Sequence, residues 1–98
     1  MRVLNMRTAH AAELREAIDI SRGSTLGLGN PFRIGIDGSR EEVIRDFERY
    51  ARQKLKTDPA FRERVKGLYG FNLKCFCAPA ACHGDVYIKL CQELNDGR

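Results

Sequence analysis

Tryptophan is absent from this 98-residue sequence, and aromatic residues make up only 8% of it. Such a chain offers no row of stacking platforms for single-stranded nucleic acid. Long apolar runs are missing too, which excludes a helical membrane span. The opening Met1-Arg2-Val3-Leu4-Asn5 lacks the extended apolar core of a secretory signal. There is no long block of one charge: Arg40, Arg45, Arg49 and Arg52 are interleaved with Glu41, Glu42, Asp46 and Glu48. That mixing marks a solvated helix face with some i,i+4 pairing rather than a basic arm. Internal repeats, low-complexity tracts and interdomain linkers are not seen. The expectation is a cytoplasmic protein that does not engage a membrane.

What is present fits one compact domain over residues 1–98. Hydrophobic residues are 43% and charged residues 31%, too apolar for disorder, while the length is too small for two cores. The formal charge of +4 favours anionic partners such as phosphate, nucleotide or nucleic acid. Four cysteines in a reducing compartment are expected to be ligands, reactive thiols or core residues rather than disulfides.

Arg2 to Met6 reads as a first strand, and residues 8–16 as a helical turn or loop. Ala17 to Arg22 reads as a second strand. Gly23 to Phe32, with three glycines and a proline, must be a loop. Arg33 to Ile36 extends briefly before Asp37-Gly38 turns. Ser39-Arg40-Glu41-Glu42 fits a capping box and starts the clearest helix, with Val43, Ile44, Phe47, Tyr50, Ala51 and Leu55 on one face. Asp58-Pro59 ends that helix and caps the next, whose inner face is Phe61, Val65 and Leu68. Phe71 to Cys77 is a third strand with Leu73, Cys75 and Cys77 on one side. Ala78-Pro79-Ala80-Ala81 breaks it, Pro79 turning the chain back. A last helix runs from about His83 to about Asn95. Strands joined through helices predict an α/β fold: a small single domain with a three- to four-stranded, mostly parallel sheet covered by helices.

The segment Cys75-Phe76-Cys77-Ala78-Pro79-Ala80-Ala81-Cys82-His83 holds three thiols and an imidazole. Cys75, Cys77, Cys82 and His83 make up a closed tetrahedral zinc set by composition, though a single residue separates the first two cysteines and the last two ligands are adjacent. The ordinary alternative is a cluster of small buried thiols, since cysteine packs well in cores. A third reading places Cys82 and His83 at a helix N-terminus that attracts anions and lowers a thiol pKa, which would make Cys82 a nucleophile or part of a phosphate pocket. Cys91, on an apolar helix face, reads as core.

The glycine-rich loop is the second candidate. Gly23 and Gly29 allow close backbone approach to a ligand, Asn30 both donates and accepts, and Phe32 either stacks on a base or anchors the loop in the core. The loop lacks the dinucleotide-binding fingerprint and a P-loop lysine. It follows a strand, where α/β sheets bind ligands, so Arg22 and Arg40 are candidates to face an anion there; the alternative for either is a plain surface arginine, a reading that weighs evenly for Arg40.

These motifs resemble domain-of-unknown-function family 4326, found in bacteria and their phages. The shared pattern is Ser21-Arg22-Gly23-Ser24, Gly29-Asn30-Pro31-Phe32, Ile34-Gly35, Asp37-Gly38-Ser39-Arg40-Glu41-Glu42-Val43-Ile44, Phe47 with Tyr50, then Leu73-Lys74-Cys75-Phe76-Cys77-Ala78-Pro79 and Cys82-His83-Gly84-Asp85-Val86. It covers roughly residues 18–90. Phe76 stands where the family usually has Trp, and Lys74 where it has Gly. The resemblance implies that Arg22, Asn30, Arg40, the thiols and His83 share one site, and brings no established reaction with it. The leading expectation is a domain that binds, and in one version processes, a nucleotide-like or phosphate-bearing small ligand through Arg22, Gly23, Gly29, Asn30, Phe32, Arg40, Cys82 and His83. The alternative is a zinc-stabilised module that meets nucleic acid or protein. A third is a phage-type regulator that docks on a host protein.

Overall fold

The structure is a computed structural model that describes residues 1–77, 80 and 82–96. Three strands, β1 (Val3–Asn5), β2 (Ile18–Asp19) and β3 (Leu73–Cys75), form one parallel sheet. Its order is β1-β3-β2, so the strand latest in the chain lies in the middle. Four helices accompany it: α1 (Ala11–Glu16), α2 (Arg40–Thr57), α3 (Pro59–Lys66) and α4 (His83–Asn95). This is the expected small α/β domain.

The period-two pattern of β3 decides which helix lies where. Leu73 and Cys75 are buried in one cluster with Phe47, Phe61, Val65, Val86, Tyr87 and Leu90, from α2, α3 and α4. Lys74 points the opposite way, and its Nζ donates to the Leu14 carbonyl of α1 at 2.8 Å. The three long helices therefore cover one face of the sheet and α1 the other. An Arg2–Glu13 ion pair also ties the start of β1 to α1.

Helix ends follow their local chemistry. Ser39 Oγ accepts from Glu42 N–H and Glu42 returns the bond to Ser39 N–H, closing the expected capping box. Asp58 caps α3 by accepting from Phe61 N–H, with Pro59 following it. In α4 a thiol does this work: Cys82 Sγ accepts from Gly84 N–H at 3.3 Å, and Asp85 accepts from Cys82 N–H at 3.0 Å. Arg52 of α2 holds Glu93 of α4 by two bonds of 2.8 and 3.1 Å, and Glu48 bridges Arg52 to Lys89. The centre of the core is aromatic: the Phe47 ring meets Tyr87 and His83 edge-on, each at 5.2 Å between centroids.

The third strand stops at Cys75, with a bend at Phe76, where the sequence suggested Phe71 to Cys77, and two further segments differ from expectation. The second strand is only two residues long, because Asp19 Oδ1 accepts from both the N–H and the hydroxyl of Ser21 and draws the chain off the ladder. Residues 33–38 form a turn rather than an extended piece. Gly35 and Gly38 adopt positive φ, Gly35 N–H donates to Gly38 O at 2.7 Å, and Asp37 accepts from Arg33 N–H. The turn carries Ile34 and Ile36 outward, Ile36 to 76% exposure. The reversal assigned to Pro79 lies outside the described residues.

Candidate functional site

A cleft of about 770 Å³ lies beyond the C-terminal ends of the three strands. It exists because three chain segments leave the sheet at that edge and diverge. Asp19 ends β2 and Ser21 follows it, Phe76 and Cys77 follow β3, and Met6 follows β1, all lining the cleft. The start of α2 supplies Val43 and Ile44, and the α4 N-terminus supplies Cys82 and His83. The glycine-rich loop and the Cys-His segment thus face one shared space.

The loop is held in place by its own side chains. Arg22 donates from Nε to the Asn30 carbonyl at 3.0 Å and from an Nη to the Phe32 carbonyl at 2.8 Å. Asn30 Oδ1 accepts from Phe32 N–H, turning the chain at Pro31. Gly29 passes so near the segment that follows β2 that a Cβ there would stand 2.8 Å from Arg22 Cα, so glycine is required. From outside the loop, Arg64 of α3 donates to the Leu26 carbonyl at 2.7 Å. The anchor in the core is Leu28, at 1% exposure, while Phe32 is half-buried, edge-on to Tyr50 and part of the cleft wall.

Arg22, Gly23, Asn30 and Phe32 line the cleft, as do Cys75, Cys77, Cys82 and His83. Gly29 faces a smaller depression of about 280 Å³ on the outer side of the loop, shared with Arg22, Asn30 and Arg33. Among the described residues lining the cleft, α2 contributes Val43 and Ile44 rather than Arg40, which is half-buried in the first turn.

The thiols converge. The sulfurs of Cys75, Cys77 and Cys82 lie within 4.8 Å of one another, with Cys75 and Cys82 at 3.5 Å. Cys75 ends β3, the chain bends at Phe76 so that Cys77 lies beside it, and capping α4 returns Cys82 to them. Among the described residues, His83 does not join this group. Its ring points into the core, where Nε2 sits 2.7 Å from the Ile20 carbonyl and the ring meets Phe47 and Tyr87 edge-on. Burial lowers the His83 pKa, outweighing the carbonyls of Ile20 and Leu28 that favour the charged form. A neutral ring donating from Nε2 to Ile20 is the consistent state.

The Cys82 thiol does not behave as a helix N-terminus alone would dictate. Its hydrogen bond with Cys75, followed by burial, pushes the pKa well above the ordinary thiol value; the Gly84 N–H acts the other way and is outweighed. An upward shift disfavours the thiolate that a nucleophile needs. Cys91 is buried against α3 and its pKa is likewise raised, chiefly by burial, consistent with core packing.

Sequence reasoning passed over Asp19, Ser21 and Arg33, which supply polar groups to the cleft, and Ile34, Ile36 and Phe76, which supply its apolar rim. Asp19 and Ser21 could have been found from the rule that ligands gather beyond the strand ends. Arg33 directly follows the loop motif. The two isoleucines could not, because only the turn at 33–38 directs them there.

The family model described as Domain of unknown function (DUF4326) matches residues 4–93. An uncharacterized 12.4 kDa protein in the nrdA-td intergenic region of Enterobacteria phage T4 is 31% identical over 78 residues, covering 79% of this chain and 68% of that protein. No solved structure matches the chain. The resemblance first drawn from the loop and the Cys-His segment extends to both flanks of the domain, and the chain belongs to the DUF4326 family.

Proposed function

We propose that the cleft binds a small nucleotide-like or phosphate-bearing ligand. The observation that carries this reading is the cleft itself: about 770 Å³ at the C-terminal edge of a parallel sheet, in the size range of small-molecule sites and at the place where such sheets bind them. Its walls are mixed in the manner ligand pockets require. Phe32, Ile34, Ile44 and Phe76 offer apolar surface for a flat ring. Arg33 and Arg22 bring positive charge, and Arg22 keeps N–H groups beyond the two that hold Asn30 and Phe32. Asp19 and Asn30 offer acceptors for hydroxyl or amino groups. The α4 N-terminus contributes less than the sequence suggested, because Cys82 Sγ and Asp85 already take the Gly84 and Cys82 N–H groups.

Isothermal titration of the whole chain against nucleotides and sugar phosphates tests the reading. Binding at or below about 1 mM, worth roughly 4 kcal/mol, is expected for at least one of them. The Arg33→Ala variant should weaken it about tenfold, the scale of one lost charge-assisted bond. Silence across the panel at millimolar ligand overturns the proposal.

A further inference from the structure

We propose that Cys75, Cys77 and Cys82 bind a single soft divalent cation, with zinc the foremost choice, and leave one coordination position facing the cleft. The inference goes beyond the ligand reading and stands on the thiol geometry alone. In a tetrahedral site with metal–sulfur bonds of about 2.3 Å, the sulfurs stand roughly 3.8 Å apart. Here all three fall within 4.8 Å of one another, and Cys75 and Cys82 are at 3.5 Å. Small side-chain movements bring them onto three vertices.

The trio is held by separate elements. Cys75 ends β3, the middle strand, where Met6 N–H donates to its carbonyl at 2.8 Å. Cys82 is the N-cap of α4, which is fixed in the core through Tyr87 and Leu90. Cys77 is half-buried at the cleft wall. Thiolate ligands select zinc and other soft ions over magnesium or calcium. His83, adjacent in sequence, is not the fourth ligand, because neither of its ring nitrogens lies within 4.8 Å of all three sulfurs. All three cysteines line the cleft, so the remaining vertex opens there, to water or to a nitrogen or sulfur donor of a bound molecule.

The step balances without a co-reactant. Each thiol gives its proton to solvent and its sulfur lone pair to the ion, whose oxidation state does not change. Three thiolates on a divalent ion leave one net negative charge, which disfavours an anionic group at that vertex. A phosphate would sit toward Arg22 and Arg33 instead.

The test uses the whole chain. Elemental analysis of protein purified without chelator should give a single equivalent of zinc. Cobalt added to chelator-treated protein should produce a thiolate-to-cobalt charge-transfer band and the visible bands of tetrahedral coordination. Imidazole, as a probe of the open vertex, should shift those visible bands. The Cys77→Ser variant, altered at the least buried of the three, should lose more than about 100-fold in cobalt affinity, beyond what loss of an outer partner costs. No charge-transfer band from the unaltered chain, or a Cys75–Cys82 disulfide in the protein as isolated, overturns the site. A cobalt spectrum insensitive to imidazole overturns the open position. Nucleotide titrations on zinc-loaded and chelator-treated chain in parallel separate this inference from the cleft reading, since either can fail while the other stands.

Discussion

One substitution made at two places in the same loop tests how the cleft is built. A Cβ at Gly29 would lie 2.8 Å from Arg22 Cα, 3.2 Å from Arg22 N and 3.2 Å from Ser21 O, all backbone atoms. Ordinary contact begins near 3.4 Å, so the loop must retreat by about 0.6 Å. A retreat of that size lengthens the 3.0 Å Arg22–Asn30 bond by at most the same amount, which weakens it. Overpacking of this kind costs about 1–3 kcal/mol. For a domain of this length that lowers Tm by at least about 4 °C. At Gly23 a Cβ meets nothing within 4 Å, and φ is not positive. Gly23→Ala should therefore leave Tm unchanged or raise it slightly, by restricting the unfolded chain. Thermal unfolding followed by circular dichroism reads both. Equal melting of Gly29→Ala and the unaltered protein refutes the claim that the loop packs directly on the Ser21–Arg22 backbone beyond β2.

Other perturbations follow from particular contacts. Gly84→Ala would set a Cβ 2.6 Å from Cγ2 of Val3, a β-branched side chain stiff at χ1, and 3.0 Å from Ile20 Cδ1, so urea unfolding should show a loss of about 1–3 kcal/mol. His83→Phe keeps an aromatic ring against Phe47 but leaves the Ile20 carbonyl unpaired; it should cost about 1–3 kcal/mol in urea melts and leave the cobalt spectrum unaltered. Hydrogen bonds from Arg52 and then Lys89 hold the Glu48 carboxyl below its ordinary 4.5. A lowered folded-state pKa gives stability that is full above 4.5 and is lost as pH falls through the folded value. Glu48→Gln should therefore cost up to about 1 kcal/mol at neutral pH, discounted because the partners are solvent-exposed, and nothing well below 4.5. Paired urea midpoints at the two pH values check the sign.

The helices were legible because their signals are local. The Ser39–Glu42 box and the Asp58-Pro59 pair each need only four residues of context, and α4 begins at His83 and ends at Asn95 as the apolar pattern requires. The strands were over-read. Period-two patterning continues past the point where pairing stops, and the Asp19–Ser21 bonds that end β2 leave no mark in an alternating pattern. Leu28 was missed as a core residue because an isolated apolar side chain in a glycine-rich loop has no periodicity to expose it. In the site, the thiol grouping was readable from the close spacing of the three cysteines. The place of His83 was not. Adjacency to Cys82 suggested a shared ion, whereas the first residue of α4 turns its side chain away from the cap and toward Ile20. Which arginines reach the cleft depended on where α2 starts relative to the turn at 33–38, a three-dimensional matter that favours Arg33.

The placement of β3 between β1 and β2 sets an order of events during synthesis. The two outer strands emerge first, yet each finds its hydrogen-bonding neighbour only in residues 73–75. A nascent chain of about 70 residues can form α2 and α3 from local contacts, but its strand edges remain unpaired and prone to association. Arrival of a single three-residue segment then pairs both outer strands at once, and the pocket closes only when α4 follows and sets Cys82 and His83 in its wall.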